Sequence, residues 1–474
     1  MRKAASRLII LACLAFGHAA LSPDWYLHAG SEAEASGMKL SSDSERPAAS
    51  SQSPAAEQEP FHRFNFGYDQ RFRHENWNDI QDQSSLAYDR KVWQSVRQRF
   101  WFKAQLGTPD IEFFVRMLNQ FTKTTTPSVP LNWDEVIFDN LFLHFKKTFI
   151  PGVSVKFGRQ DMIFGEGFIL MDGSASEGPR TSYFNAIDIT YSRKKSTLDF
   201  VAILNPRRDR FFPAIHRQPK NLNEWDEQAF GVYYRDANHS AAQFEIYYFL
   251  KKETHDFRPA THAQFQPDRH VNTIGGRVVH RLKRGFSATG EFAFQTGVQH
   301  PDTPIRAWGG YGYLKKEFQT RFSPYVAGGC IALSGDNPAT GAIENWDPLF
   351  ERWPKWSGMY PWSLVPEIGI SYWTNSRMLH AEAGLTPWKP LTMKALFYLN
   401  DAFHPYLKGD RKIFSTGTRR GLMPEIVAAY RFGRSVIGEF RYEFLKPGDF
   451  YAGNATGHFF RFEINYSWRH SAEE

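Results

Sequence analysis

The sequence predicts an all-β fold, a transmembrane antiparallel β-barrel of about eighteen strands, and three observations carry that expectation. From Phe61 to Trp468 apolar and charged residues take alternate positions along the chain. The composition is 16% aromatic, with 42 Phe, 20 Tyr and 14 Trp, yet the mean hydropathy is only −0.49. Apolar surface is therefore abundant while long apolar runs are missing, as strands with one oily and one wet face require. The connections between strand candidates alternate between short and long, the pattern of a barrel with tight turns at one rim and loops at the other.

The last strand shows the alternation most clearly. Phe460, Phe462, Ile464, Tyr466 and Trp468 share one face, and Arg461, Glu463, Asn465 and Ser467 share the other. Val436 to Leu445 repeats it, with Gly438, Phe440, Tyr442 and Phe444 against Glu439, Arg441 and Glu443. So do Gln98, Phe100, Phe102, Ala104 and Leu106 against Arg97, Arg99, Trp101, Lys103 and Gln105. A soluble sandwich with one wet face would alternate in the same way. The number of strands, the lack of helical spacers and the charge carried on the enclosed side favour the membrane barrel.

Short turns are expected at Gly107 to Asp110, Phe149 to Gly152, Arg193 to Ser196, Asp236 to Ser240, Lys283 to Gly285, Gln319 to Arg321, Pro387 to Pro390 and Gly433 to Ser435. Long connections fall between them. The largest, about Asn205 to Trp225, Glu253 to Arg269, Asp336 to Ile370 and Ala402 to Leu422, are expected outside the cell. With this count both chain ends fall on the periplasmic side. Trp77, Trp93, Trp308, Trp373, Trp388 and Trp468 are expected in the aromatic girdles at the membrane interfaces.

The N-terminus reads as a secretory signal over residues 1–19: Arg2, Lys3 and Arg7 precede an apolar run, Leu8 to Phe16, and Gly17-His18-Ala19 is a small-x-small cleavage site. That run is too short to span a bilayer, which takes about twenty residues, and the residues before Cys13 fit a lipid-attachment site poorly. Residues 20–60 are mostly small and polar, too poor in apolar surface to fold, and read as a disordered periplasmic tether. The barrel is expected over 61–468, followed by a C-terminal extension, 469–474. With Cys13 removed only Cys330 remains, so stability cannot rest on an internal disulfide. The formal charge of +7 includes the three basic residues of the signal and is too small for a nucleic-acid partner.

Two stretches resemble the alginate export family of outer-membrane barrels. They are Gly158-Arg159-Gln160-Asp161-Met162-Ile163-Phe164-Gly165 and Ser182-Tyr183-Phe184-Asn185-Ala186-Ile187-Asp188-Ile189-Thr190-Tyr191. Val96-Arg97-Gln98-Arg99-Phe100 is similar to an arginine-bearing second strand of such proteins, and the alternate aromatics ending at Trp468 resemble the C-terminal signal read by the outer-membrane assembly machinery. Two positions depart from the family pattern: Phe168 stands where an arginine follows the Gly-acidic pair, and Asn185 where an aspartate is expected. The resemblance implies an eighteen-stranded barrel in the bacterial outer membrane whose arginine-lined lumen passes an anionic polyuronate, usually within a secretion complex.

A polyuronate bears one carboxylate per sugar, so a conducting lumen needs guanidinium and ammonium groups along the path, binding weakly enough to release. On the faces assigned inward, Arg97, Arg99, Lys103, Arg116, Lys156, Arg277, Arg281, Arg441 and Arg461 are the candidates. Arg159 joins them through the motif, although strict alternation turns it outward, which a bulge near Gly158 would resolve. The same charges could instead stiffen the wall by pairing with Glu112, Asp188, Glu291, Glu439, Glu443 and Glu463. Arg207, Arg208, Arg210, Arg217 and Lys220, clustered with Phe211, Phe212 and Trp225, form either a solvated loop, an outer constriction or a grip on anionic lipopolysaccharide. No hydrolase, metalloprotease or nucleotide-binding motif is present. The expectation is a monomeric, non-enzymatic channel with no cofactor or metal, passing an anionic polysaccharide, with periplasmic secretion partners. The alternatives are a general porin for small anionic solutes and an adhesion or structural barrel.

Overall fold

A computed structural model of the chain describes residues 64–80, 90–171, 183–216, 226–254, 268–350, 356–360, 373–407 and 411–471. The expected signal and tether lie outside the described residues. The strands in chain order are β1 (Phe64–Asn78), β2 (Lys91–Gln105), β3 (Ile111–Thr126), β4 (Asn132–Phe145), β5 (Val153–Gln160), β6 (Phe184–Arg193), β7 (Ser196–Asn205), β8 (Ile215–His216), β9 (Asp226–Asp236) and β10 (Ala242–Thr254). They continue with β11 (Arg269–Arg281), β12 (Phe286–Gln299), β13 (Thr303–Glu317), β14 (Tyr325–Leu333), β15 (Ser376–Trp388), β16 (Leu391–Asp401), β17 (Arg419–Phe432), β18 (Val436–Pro447) and β19 (Gly457–Ser471). Each wall strand pairs antiparallel with the wall strands next to it in the chain, β7 pairing directly with β9. The wall closes where β1 meets β19, from Asn65↔Ser471 to Asn78↔His458. Setting aside the two-residue β8, which pairs with Glu135 and Val136 of β4, the wall is an eighteen-stranded closed barrel.

Closure follows from the alternation. A spanning segment must satisfy its backbone donors and acceptors without water, and among sheets only a closed one has no bare edge. The side chains sort as the sequence predicts. On β19 Phe462, Tyr466 and Trp468 are exposed on the outer face while Arg461 and Glu463 are buried, and on β2 Phe100 and Phe102 are exposed while Arg97 and Arg99 are buried. β19 continues past Trp468 to Ser471, so part of the expected C-terminal extension belongs to the wall.

All eight expected turns link consecutive wall strands, and both ends of the barrel chain lie at that turn end. The opposite end carries the longer connections, with two exceptions. Residues 127–131 and 300–302 are as short as turns, so the expected alternation of lengths holds only in part.

The larger correction concerns the lumen. Of the connection expected outside the cell, Asp336 to Ile370, the described residues 336–350 and 356–360 fold into the barrel, together with residues 161–171 after β5. Phe164 stacks on Tyr233 of β9 with centroids 4.4 Å apart, and Phe168 stacks on Trp346 at 5.0 Å. The Phe350 amide donates to the Ile169 carbonyl at 3.1 Å, tying the two segments together. Trp346 lies against Gly309 of β13, where a Cβ would come within 2.5 Å of the indole. Trp346, Leu349, Phe350, Met359, Tyr360 and Trp373 are buried. Each such side chain gains about 1.5–3 kcal/mol on leaving water, so a segment this apolar is drawn into the barrel mouth. Trp77, Trp93 and Trp373 are buried within the same apolar cluster and are not girdle residues, whereas Trp388 and Trp468 are exposed on the outer face.

Candidate functional site

The buried charged side chains of the wall strands face inward, and many of them form ion pairs with one another. At the closure seam two residues on β1 meet their counterparts on β19 directly across the ladder, Arg73↔Glu463 and Glu75↔Arg461. Arg73 Nε lies 2.8 Å from Glu463, and Arg461 Nε and Nη2 each lie 2.6 Å from Glu75. On β18 Arg441 sits 3.2 Å from Glu425, 3.3 Å from Glu439 and 3.8 Å from Glu443. These carboxylates offset the like charge of Arg461 directly opposite it on β19.

The densest basic region spans β1 to β3. Arg71 and Arg97 are directly opposite each other on β1 and β2, next to Arg73 and Arg99, with Arg116 on β3. Asp139 on β4 is fully buried between two of these guanidiniums, 3.2 Å from Arg99 Nε and 2.9 Å from Arg116 Nε. Arg116 also reaches Asp161, at 3.1 Å. Nearer the turn end Lys103 lies 3.2 Å from Glu112, which Lys146 also approaches at 2.8 Å.

The structure thus brings Arg97, Arg99, Lys103, Arg116, Arg441 and Arg461 together on one arc of wall, β18–β19–β1–β2–β3. The other candidates lie elsewhere. Lys156 sits over the Phe142 ring at 5.0 Å. Arg281 is exposed at the end of β11 beside the turn. Arg277 lies on the β11 wall, 2.9 Å from Glu166 of the inserted segment and 3.1 Å from Glu245. Arg159 is buried and binds Asp209 through two bonds of 2.7 and 2.8 Å, with its guanidinium 3.9 Å from the Tyr183 ring centre. Asn185, the family's aspartate position, accepts from Arg159 Nε at 2.9 Å.

The bulge invoked for Arg159 is absent: β4 and β5 pair without a register shift. In its place Gly158 has φ 128, and a Cβ there would lie 2.3 Å from the Leu141 carbonyl oxygen. The backbone thus departs from ordinary strand geometry one residue before Arg159, at the one residue type that tolerates it. Phe168, where the family pattern has arginine, is part of the apolar packing of the inserted segments.

Sequence reasoning missed Arg71 and Arg73, which the alternation of Phe64, Phe66, Tyr68 and Phe72 on β1 would have placed inward. It also missed Arg269 and Lys251. Arg269 binds Glu253 and reaches Asp347 at 2.5 Å, and Lys251 donates to the Leu349 carbonyl at 2.6 Å. Both fix the inserted segment, whose position the local pattern does not encode.

A closed wall of this size, oily outside and ionic within, is that of an outer-membrane channel. The alginate export family model matches residues 62–460, and the chain belongs to that family and to the bacterial outer membrane. Among solved structures the chain is similar to Pseudomonas aeruginosa OpdQ, at 11% identity and a TM-score of 0.55, covering 86% of this chain and 100% of that one. It is also similar to a BenF-like porin from Pseudomonas fluorescens Pf-5, at 12% identity and a TM-score of 0.53, covering 86% and 99%. P. aeruginosa OccK8 matches at 10% identity and a TM-score of 0.52. No curated protein matches the chain in sequence.

Proposed function

We propose that this channel conducts an anionic polysaccharide, or fragments of one, guided by the arc of guanidiniums on β19 and β1–β3. The observation that carries the reading is the grouping of Arg71, Arg73, Arg97, Arg99, Arg116 and Arg461 on four neighbouring strands of the inner wall. The acids among them hold the guanidiniums in place, and a carboxylate that approaches exchanges with them without leaving a buried charge bare. The barrel works as a monomer, without chemistry, its outer face against lipid and lipopolysaccharide and its turn end toward periplasmic partners. Arg97, Arg99, Lys103, Arg116, Arg441 and Arg461 line the path, with Lys156, Arg159, Arg277 and Arg281 beside it.

Planar-bilayer recording tests the reading. The purified barrel is expected to be anion-selective, and charge reversal at Arg97, Arg99 and Arg461 together should move the reversal potential toward cation selectivity. A cation-selective wild-type pore indifferent to added polyuronate sinks the proposal. The inserted segments favour a second reading, a porin for small anionic solutes, because they occupy part of the lumen a polymer would need. Block of the current that deepens with chain length marks the polymer channel; block independent of length marks the porin.

A further inference from the structure

Among the described residues, four arginines of the inner wall hold carboxylates supplied by connections at the loop end: Arg116 holds Asp161, Arg277 holds Glu166, Arg159 holds Asp209 and Arg269 holds Asp347. These pairs differ in their access to water. The side chains of Asp209 and Asp347 are 6% and 2% exposed, whereas those of Asp161 and Glu166 are 31% and 18% exposed. The two wet carboxylates belong to one segment, 161–171.

Their surroundings are those of carboxylate-binding sites. Asp161 accepts from Arg116 Nη2 at 3.2 Å and from Asn140 Nδ2 at 2.9 Å. Glu166 accepts from Arg277 Nη2 at 2.9 Å and from the Tyr313 hydroxyl at 2.6 Å, beside the stacked rings of Tyr311 and Tyr313. Aromatic faces next to a charge-assisted carboxylate clamp suit a sugar acid. Glu245 and Glu291, the other acids near Arg277, are tied to tyrosine hydroxyls and almost fully buried, so they remain as fixed parts of the wall.

We infer that Arg116 with Asn140, and Arg277 with Tyr313, are two subsites for the carboxylates of a sugar acid, each filled by the chain's own Asp161 or Glu166 until substrate displaces it. The inference rests on the anion-channel reading and adds to it where substrate binds and what it must displace. One carboxylate replaces another, so the guanidinium is never left without a counter-charge and the exchange avoids the penalty of breaking a buried pair. The internal acids also set the affinity: they compete with substrate and keep it weak enough to pass on.

Asp161→Asn and Glu166→Gln, singly and combined in the full-length barrel, test this with D-glucuronate as the probe. Binding is read both as block of current and by calorimetry in detergent. A neutral amide is a weaker competitor than a carboxylate, so the double variant should bind glucuronate about tenfold more tightly than wild type. Maltotriose, uncharged, should show no such gain. Arg116→Gln and Arg277→Gln should each weaken binding in the double-variant background. Both acid substitutions keep side-chain shape, and Tyr313→Phe, which removes a donor but no charge, gives a milder probe expected to weaken binding. An anion-selective pore whose double variant binds glucuronate no better than wild type overturns the exchange while leaving the channel reading standing. A cation-selective pore overturns both.

Discussion

Asp139 is one carboxylate serving two guanidiniums at the centre of the basic arc. Removing one partner of a buried ionic cluster costs about 3–5 kcal/mol, because the partners left behind remain desolvated. Asp139→Asn is therefore expected to lower the unfolding free energy of the micelle-held barrel by an amount in that range, read by tryptophan fluorescence as a fall in the urea midpoint; an unchanged midpoint would show that Arg99 and Arg116 do not depend on it. At this scale the sequence was legible wherever a side chain obeyed simple alternation. Arg461 against Phe462 is such a case, since a one-residue slip would turn charge to lipid. Arg159 was not, because its burial depends on the left-handed backbone at Gly158 and on Asp209, fifty residues further along the chain. Trp77 and Trp93 were misplaced because aromatic character suggested the girdle even though Trp93 shares the face of Arg97.

Among the elements, the strands and their turns could be read locally. A glycine or charged pair between two alternating runs, as at Gly433 to Ser435, needs no distant information to become a hairpin. The inserted segments could not, because what draws 161–171, 344–350 and 356–360 inward is their contact with each other and with the strands around them, β9 to β13, β17 and β18. The aromatic density of Trp346, Phe350, Trp356 and Tyr360 was the signal available, since a solvated loop has no use for it. Phe168 is the key contact. Phe168→Ala removes a buried ring worth about 3–5 kcal/mol of packing and should loosen the segments from each other. Larger single-channel conductance with more open-state noise is expected, while the barrel's heat-modifiable gel mobility stays unchanged. Conductance identical to wild type would mean that the two segments do not limit the passage.

Considered whole, the molecule is a lattice of fixed charges inside an insulating wall, and its selectivity is a property of the summed field rather than of any one arginine. Such a field is screened by electrolyte: the Debye length falls from about 10 Å at 0.1 M salt to about 3 Å at 1 M. Anion preference in planar bilayers is therefore expected to decline steadily across that range. A preference that does not change with salt would point to close-range coordination instead.

The join between β1 and β19 has a consequence for biogenesis. Arg73 and Glu463 are 390 positions apart in the chain and yet adjacent in the wall. Until the final strand is delivered, every growing intermediate has two raw margins of unpaired amides that hydrocarbon cannot accommodate. The polypeptide must therefore be sheltered or guided until its tail reaches its head, and deleting the fifteen residues of β19, Gly457–Ser471, would strip the first strand of its partner.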